Sequence, residues 1–235
     1  MSFLSGKRFL SLAALAFSAL LLISFLSRAH NSAAIPTAVV PDGRTVILDA
    51  GHGGQDAGAI GVNGALEKDL NLSVTLLLAE RLRAAGVRVI LTRETDEMVL
   101  SEAEKKATGR KAKDLANRLA VAKAYPDALF VSIHMNSFPV GKYKGFEVYY
   151  AADGTSRLLA ESMMGKVKET LIPDNTRTAK AAGESIYLLY NAVTPAVLVE
   201  CGFLSNGEDA AKLSDKDYQK QLSFCLFCAI MEVEI

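Results

Sequence analysis

Apolar and polar positions alternate along the chain with two different periods, and this pattern predicts an α/β protein. Three short apolar runs have the length and β-branched content of buried strands, at 45–49, 87–92 and 129–134. Residues 67–85 carry apolar side chains at helical spacing and stop before Gly86, and a second amphipathic stretch ends near Pro126. Strands that alternate with helices in this way are expected to form a largely parallel sheet.

The second half of the chain continues the alternation. Further strands are predicted at 146–150, 186–190 and 197–200, and further helices at 156–171 and 215–233. Residues 94–113 are polar and rich in charge, which indicates a surface loop with some helix. We therefore expect a single α/β domain, with a central sheet flanked by helices.

The first 34 residues differ from the rest of the chain. Residues 9–26 contain no charged side chain, and Lys7 and Arg8 stand directly before them. A basic start followed by an apolar run is typical of a signal peptide or an N-terminal membrane anchor. The run is long for a signal peptide and marginal for a bilayer span, so both interpretations stay open. Residues 1–34 are thus predicted to export the protein, 35–44 to be a linker, and 45–235 to form the folded domain.

Composition and charge narrow the class of protein. Lys and Arg number 26 and Asp and Glu also number 26, so the formal net charge is zero. A nucleic-acid-binding protein usually carries a basic surplus, and no nucleic-acid partner is expected here. Half of the residues are hydrophobic, which excludes a mostly disordered chain.

The cysteines suggest a redox motif that the pattern around them disfavours. Cys225 and Cys228 form a C-x-x-C within an apolar helical stretch, where Cys225 shares a face with Leu222 and Ala229. A redox pair belongs at the N-terminus of a helix, where the thiolate is stabilised. We therefore predict that these thiols fill the core.

A glycine-rich loop follows the first strand and resembles a dinucleotide-binding turn only in part. Gly51 and Gly53 fit that fingerprint, but its third small residue is replaced by Asp56. A carboxylate there would face the pyrophosphate, and further glycines prevent a helix from starting at once. Nucleotide binding is rejected.

Two of the three histidines come at the ends of predicted strands. His52 follows the first strand and His134 ends the third. Because the carboxyl ends of parallel strands lie along one edge of a sheet, both side chains are expected at that edge. Either histidine alone would more often be structural; the pair favours a metal site modestly.

Two glutamates are predicted to lie near the same edge of the sheet as these histidines. Glu67 opens the helix after the His52 loop, and two histidines with a glutamate are a common ligand set for catalytic zinc. Glu67 is equally explained as an acid that stabilises the start of a helix. Glu200 ends an apolar strand, where an acid is either a paired structural carboxylate or a catalytic one. The helix-borne H-E-x-x-H zinc motif is absent from the sequence.

Several separated motifs together resemble one enzyme family. VILDAGHGGQDAGAIG, LEKDLNL, TRETD, LFVSIHMNS, GFEVYY and PAVLVECGFLSN follow one another from about Thr45 to the C-terminus. In this order they resemble the zinc-dependent N-acetylmuramoyl-L-alanine amidases of the type 3 family, and most of all the short members that act on spore cortex peptidoglycan during germination. The stretch from Met98 to Lys113 departs from the family pattern, which concerns only a loop beside the groove.

The resemblance implies a fold and a set of roles. The fold would be a single domain with a central mixed, largely parallel sheet. His52, Glu67 and His134 would bind Zn²⁺, and Glu200 would be the catalytic carboxylate. The reaction would be hydrolysis of the amide between the lactyl group of N-acetylmuramic acid and L-alanine. Asp49, Asp56 and Asn136 stand next to these residues; they either orient the histidines or form turns.

The resemblance also implies where the enzyme acts and what it contacts, and rival functions stay open beside it. The enzyme would act outside the cytoplasm, at the membrane, in the wall or in the spore cortex, attached through residues 9–26 if these are retained. Its substrate partner would be peptidoglycan, and an accessory activator protein is a further possible partner. The rivals are a zinc peptidase that cuts within the stem peptide and a non-catalytic wall-binding module on the same fold.

Overall fold

A computed structural model describes residues 43–233 of the chain, and the predicted export segment lies outside them. Six strands are present in this part: β1 Thr45–Ala50, β2 Arg88–Leu91, β3 Leu129–Asn136, β4 Glu147–Tyr150, β5 Lys180–Ala181 and β6 Ala196–Phe203. Six α-helices accompany them: α1 Glu67–Ala84, α2 Arg110–Ala124, α3 Gly154–Thr170, α4 Tyr187–Tyr190, α5 Gly207–Ser214 and α6 Lys216–Glu232. A single 3₁₀ turn at Glu104–Lys106 completes the described elements.

The strands form one mixed sheet in the order β2-β1-β3-β6-β4-β5. β1, β2, β3 and β6 run parallel, whereas β4 is antiparallel to β6. The carboxyl ends of β1, β3 and β6 therefore lie side by side at one edge, where loops build sites. The predicted fold class, a single α/β domain with a mixed, largely parallel sheet, is confirmed.

Helices cover both faces of the sheet, so alternate side chains of each strand enter different cores. Val46 and Leu48 of β1 pack with α1, α3 and α6, whereas Ile47 between them packs with α2 and α4. All three side chains are fully buried. This two-sided burial explains why the parallel strands are continuous apolar runs in the sequence.

The strand predicted at 186–190 is wrong, because Tyr187–Tyr190 form one helical turn instead. Leu188 and Leu189 are adjacent in the chain and both are buried in the same core. A strand would have directed them to opposite faces, whereas a helical turn buries both on one side. The sequence pattern also missed α5, although its eight residues have a buried face, and β5, whose two residues are too few to show a period.

Cys225 lies in the core, as expected, whereas Cys228 lies outside it. Cys201 and Cys225 are buried, Cys228 is half-buried, and all three are free thiols. Burial raises the pKa of the Cys201 and Cys228 thiols. No helix within residues 43–233 has the length and apolar character needed to span a bilayer.

Candidate metal centre and active site

Three side chains from three separate segments converge at the carboxyl edge of the sheet. His52 lies in the loop after β1, Glu67 is the first residue of α1, and His134 lies near the end of β3. One ligand atom from each lies within 4.8 Å of the others, the one such group among the described residues. The structure thus brings together the three residues that the sequence predicted as metal ligands.

One carboxylate oxygen lies at the centre of this group. His52 Nε2 is 3.1 Å from Glu67 Oε1, and His134 Nδ1 is 2.9 Å from the same oxygen. The two imidazole rings meet edge to face with their centroids 5.0 Å apart. Two ring nitrogens and a carboxylate directed at one point are the donor set of a catalytic zinc site, so these residues fit a zinc ion.

The loop that carries His52 has an unusual backbone. His52 has φ of 61°, the one positive φ of a non-glycine residue in the described part of the chain. A left-handed conformation of this kind costs about 1–2 kcal/mol for a residue with a Cβ atom. It turns the imidazole back over the end of the sheet, and surrounding contacts must hold it there.

Two glycines leave room for the candidate ligands. A Cβ atom on Gly51 would lie 2.2 Å from His134 Nε2, and one on Gly58 would lie 2.5 Å from Glu67 Oε2. Contacts this short are not tolerated in proteins, so the glycine-rich loop is a packing requirement of the site. The backbone N–H of Ala59 donates to Glu67 Oε2 at 2.8 Å and fixes the second carboxylate oxygen.

Glu67 is held in its charged form. Burial opposes its ionisation, but the hydrogen bonds from His134 and His52 outweigh burial and hold the pKa of Glu67 well below its usual range. The same contacts act on His52: burial lowers its proton affinity, yet Glu67 and Asp56 together raise the pKa of His52. A charged carboxylate with two imidazoles gives the cluster the electrostatics expected of cation ligands.

Of the three polar neighbours, only Asp56 is shown beside a candidate ligand. Its Oδ2 is 3.0 Å from His52 Nδ1, and its backbone forms a turn with Gly53. Asp56 is therefore a turn residue that also places a carboxylate beside His52, although Nδ1 has no partner at hydrogen-bonding geometry. Asp49 accepts instead from Ser132 and other buried groups below the site, and the backbone oxygen of Asn136 accepts from Leu204.

Glu200 stands next to this cluster on β6. It is the register partner of His134 on β3, and the pairing of the two strands shifts just beyond this point. Its Oε2 atom is buried without a hydrogen-bond partner. Burial, together with the charges of Glu67 and Glu147, raises the pKa of Glu200 to about 7. A carboxyl with that proton affinity is suited to accept and return a proton near neutral pH.

Glu147, which sequence reasoning passed over, faces Glu200 across the β4–β6 pair. It is buried, accepts from the Tyr149 hydroxyl at 3.1 Å, and is ion-paired with Arg177 and Lys180. Glu147 therefore has charge partners whereas Glu200 has an unpaired oxygen, so the two neighbouring carboxyls have different environments. Glu147 lies in the GFEVYY motif, which the sequence places in a strand and in the family pattern without a role for this residue.

The fold and this site define an α/β protein in which two histidines and a glutamate could hold a cation beside a carboxyl of raised pKa, as in metal-dependent hydrolases. Residues 46–232 match the family Amidase_3, described as N-acetylmuramoyl-L-alanine amidase. The chain belongs to this family, whose members are enzymes that hydrolyse peptidoglycan.

Individual relatives agree with this placement. The germination-specific N-acetylmuramoyl-L-alanine amidase of Bacillus subtilis is 33% identical over 92% of this chain and 91% of its own length. The structure of the CwlD amidase from Clostridioides difficile, in complex with the GerS lipoprotein, is 37% identical and has a TM-score of 0.76. It covers 81% of this chain and 98% of its own. The amidase AmiC2 of Nostoc punctiforme is 30% identical, with a TM-score of 0.69 over 82% of this chain and 98% of its own.

Proposed function

We propose that this amidase is a zinc enzyme in which His52, Glu67 and His134 hold the metal and Glu200 is the catalytic carboxylate. The observation that carries the proposal is the convergence of the three ligand atoms within 4.8 Å, beside a glutamate with an unpaired buried oxygen. When bound there, zinc supplies Lewis acidity, which activates water and polarises the carbonyl of the scissile amide. The bond cut is the amide between the lactyl group of N-acetylmuramic acid and L-alanine.

Carboxyl side chains of the protein transfer the proton and surround the candidate zinc ligands. Glu200 accepts the proton of the attacking water and returns it to the departing alanine amine, which leaves poorly unless it is protonated. Asp56 places its carboxylate 3.0 Å from His52 Nδ1, whereas Nε2 of the same ring faces Glu67 Oε1. Glu147 stays paired with Arg177 and Lys180 and leaves the proton transfer to Glu200.

The biological setting is proposed from the relatives. We infer that the enzyme acts outside the cytoplasm on spore cortex peptidoglycan during germination, because the Bacillus subtilis relative is named for germination. Residues 1–34 would export or anchor it. The Clostridioides difficile amidase is described in complex with a lipoprotein, which supports an accessory partner for this chain as well.

The test is digestion of purified peptidoglycan by the full chain, with and without zinc and a chelator. Glu200→Gln is expected to keep the zinc and lose at least ~100-fold in turnover, since general acid–base catalysis contributes that much or more. Glu161→Gln, an exposed site on α3, is the matched control and is expected to keep wild-type turnover. Retention of wild-type turnover by Glu200→Gln would remove Glu200 from the mechanism.

The product separates the amidase from its rivals. An amidase releases stem peptides that begin with a free L-alanine amine, and a chelator abolishes the release. Shorter peptide fragments would indicate a peptidase that cuts within the stem. A chain that contains zinc but releases no peptide would indicate that an activating partner or a different substrate is needed. Binding to peptidoglycan by a chain that holds no zinc would favour the wall-binding module.

A further inference from the structure

Two buried arginines lie beneath the candidate metal centre, and neither belongs to the ligand set. Arg118 of α2 is 1% exposed and Arg93, just after β2, is 6% exposed. Their guanidinium groups contact the loop that carries His52 from below. Burying an arginine costs free energy unless its N–H groups are hydrogen-bonded. The acceptors of those N–H groups therefore show which parts of the chain the arginine connects.

Arg118 uses its donors on two carboxylates and two loop carbonyls. Nη1 donates to Asp49 Oδ1 at 2.6 Å and to Ala50 O at 2.7 Å, and Nη2 donates to His52 O at 2.6 Å. Nε and Nη2 also donate to the Asp114 carboxylate, at 2.7 and 3.3 Å. The five donors of the planar group are thus all engaged, an arrangement that lysine cannot reproduce.

Arg93 joins the same loop to the helix that carries Glu67. Its Nε donates to Ala50 O at 2.8 Å and its Nη2 to Gly51 O at 3.0 Å. The same Nη2 also donates to Lys68 O, at 2.8 Å, in the first turn of α1. The carbonyls of Ala50, Gly51 and His52 are therefore all bonded to buried guanidinium groups.

The network extends to the strand of the third ligand. Asp49, which accepts from Arg118, also accepts from Ser132 Oγ at 2.6 Å, two residues before His134 on β3. Burial opposes the ionisation of Asp49, but Arg118 and the hydroxyl donors hold its pKa below the usual range. All three ligand-bearing segments are connected through this one buried charge network.

We propose that Arg118 and Arg93 are positioning residues that preorganise the zinc site by holding His52 in its left-handed conformation. The carbonyl of His52, the residue with the strained φ of 61°, accepts directly from Arg118. Without that bond the loop relaxes toward an ordinary backbone conformation, and the ring leaves the point shared with Glu67. The inference rests on the proposed zinc site and deepens it.

The experiment measures zinc affinity by competition with a chromogenic chelator, on Arg118→Met, Arg93→Met and Arg118→Lys. Each is expected to bind zinc ~10- to 100-fold more weakly, the range for losing a group that orients a ligand. The absorption spectrum of the Co²⁺-substituted protein, which reports ligand geometry, is expected to change in Arg118→Lys as well. Urea denaturation of the metal-free proteins shows which variants fold.

A control separates positioning from general stability. Arg44→Met removes an arginine that also donates to three backbone carbonyls, those of Ile230, Met231 and Val233 at the end of α6. It is expected to lower stability but to keep wild-type zinc affinity and the wild-type Co²⁺ spectrum.

Each outcome has one meaning. Folded Arg118 and Arg93 variants with wild-type zinc affinity would overturn the positioning role and leave the zinc site intact. Loss of zinc affinity in Arg44→Met to the same degree would reduce the arginines to general stabilisers, which also overturns the proposal. A wild-type chain that binds no zinc would instead refute the proposed metal centre itself.

Discussion

The imidazole ring of His134 packs against Gly51 and leaves no space for a side chain at position 51. A Cβ atom at this position would lie 2.2 Å from both Cε1 and Nε2 of the imidazole. Its own backbone conformation is ordinary, so the constraint is contact and not strain. A single methyl group at this position therefore requires the His134 ring to move.

We predict that Gly51→Ala weakens zinc binding by at least ~10-fold, because the His134 ring must move out of the cluster. Gly165→Ala is the matched control, since that glycine lies on α3 with nothing within 4 Å of an added Cβ. The control is expected to keep zinc and to gain about 0.5–1 kcal/mol in the free energy of unfolding. Wild-type zinc content in Gly51→Ala, measured after dialysis, would contradict the geometry.

The raised pKa of Glu200 has a consequence for stability in the metal-free protein. The folded pKa is about 7, above the ordinary value of 4.5, so folding favours the protonated form. Its contribution is fully present below the unfolded pKa and is lost as the pH rises through about 7.

We therefore predict that chelated wild-type protein loses stability between pH 4.5 and about 7 relative to Glu200→Gln. The Gln variant carries no charge into the buried site at any pH. Urea denaturation of both proteins at pH 5 and pH 8 measures the difference, which is expected to favour the variant more at pH 8. An equal difference in the free energy of unfolding at the two pH values would show that the charged form of Glu200 is not destabilised by its surroundings.

At the scale of elements, the start of α3 is tied to the central strand. Asp153 caps the helix by accepting from Ser156 N at 2.8 Å, and its other oxygen contacts the Ser156 hydroxyl. The Ser156 oxygen in turn accepts from Ala196 N, the first residue of β6, at 2.7 Å. The cap therefore also sets where β6, the strand of Glu200, begins.

We predict that Asp153→Ala lowers the free energy of unfolding by about 1–2 kcal/mol, the usual cost of losing an N-cap. Asp174→Ala is the control, because that carboxylate is exposed and its ion pair with Lys144 Nζ is long, at 3.9 Å. It is expected to change stability by less than about 0.5 kcal/mol. Equal urea midpoints for Asp153→Ala and wild type would show that the cap is dispensable.

At the scale of the whole molecule, the candidate ligands come from three parts of the chain and meet only when it is folded. A cation that binds there binds the folded state and stabilises it by mass action. The stabilisation is about 2.7 kcal/mol when free zinc is at 100 times its Kd. For a protein of this size, that corresponds to a rise of roughly 5–10 °C in Tm.

We predict that zinc raises the Tm of the chelated protein by this amount and that His134→Ala removes the response. The variant loses one of three ligands but keeps the other contacts of β3, so its fold is expected to survive. Differential scanning calorimetry with added zinc, and with magnesium as a comparison ion, measures the shift. A zinc response in His134→Ala as large as that of wild type would exclude this histidine as a ligand.

Elements with a clear hydrophobic period, and the residues at the ends of those elements, can be predicted from the sequence alone. The buried strands and the long helices could be predicted, and so could the positions of His52, His134 and Glu200, because the carboxyl end of a strand locates a site residue before the fold is known. Glu67 begins a helix, and the residues alone left its role open; the resemblance to the amidase family implied it. The core position of Cys225 followed from helical spacing in the same way, whereas Cys228 is only half-buried.

Features that depend on contacts between distant parts of the chain could be found only in the folded structure. The one-turn helix at Tyr187–Tyr190 has no period to detect, and it forms because two adjacent leucines reach the same core. Glu147 gained its place opposite Glu200 from the antiparallel pairing of β4, which no local pattern fixes. Arg118 contacts His52 across 66 positions of sequence. The hydrophobic period of a segment shows which face of that one helix or strand is buried. A network of charged side chains forms only when several elements pack together, so no single segment predicts it.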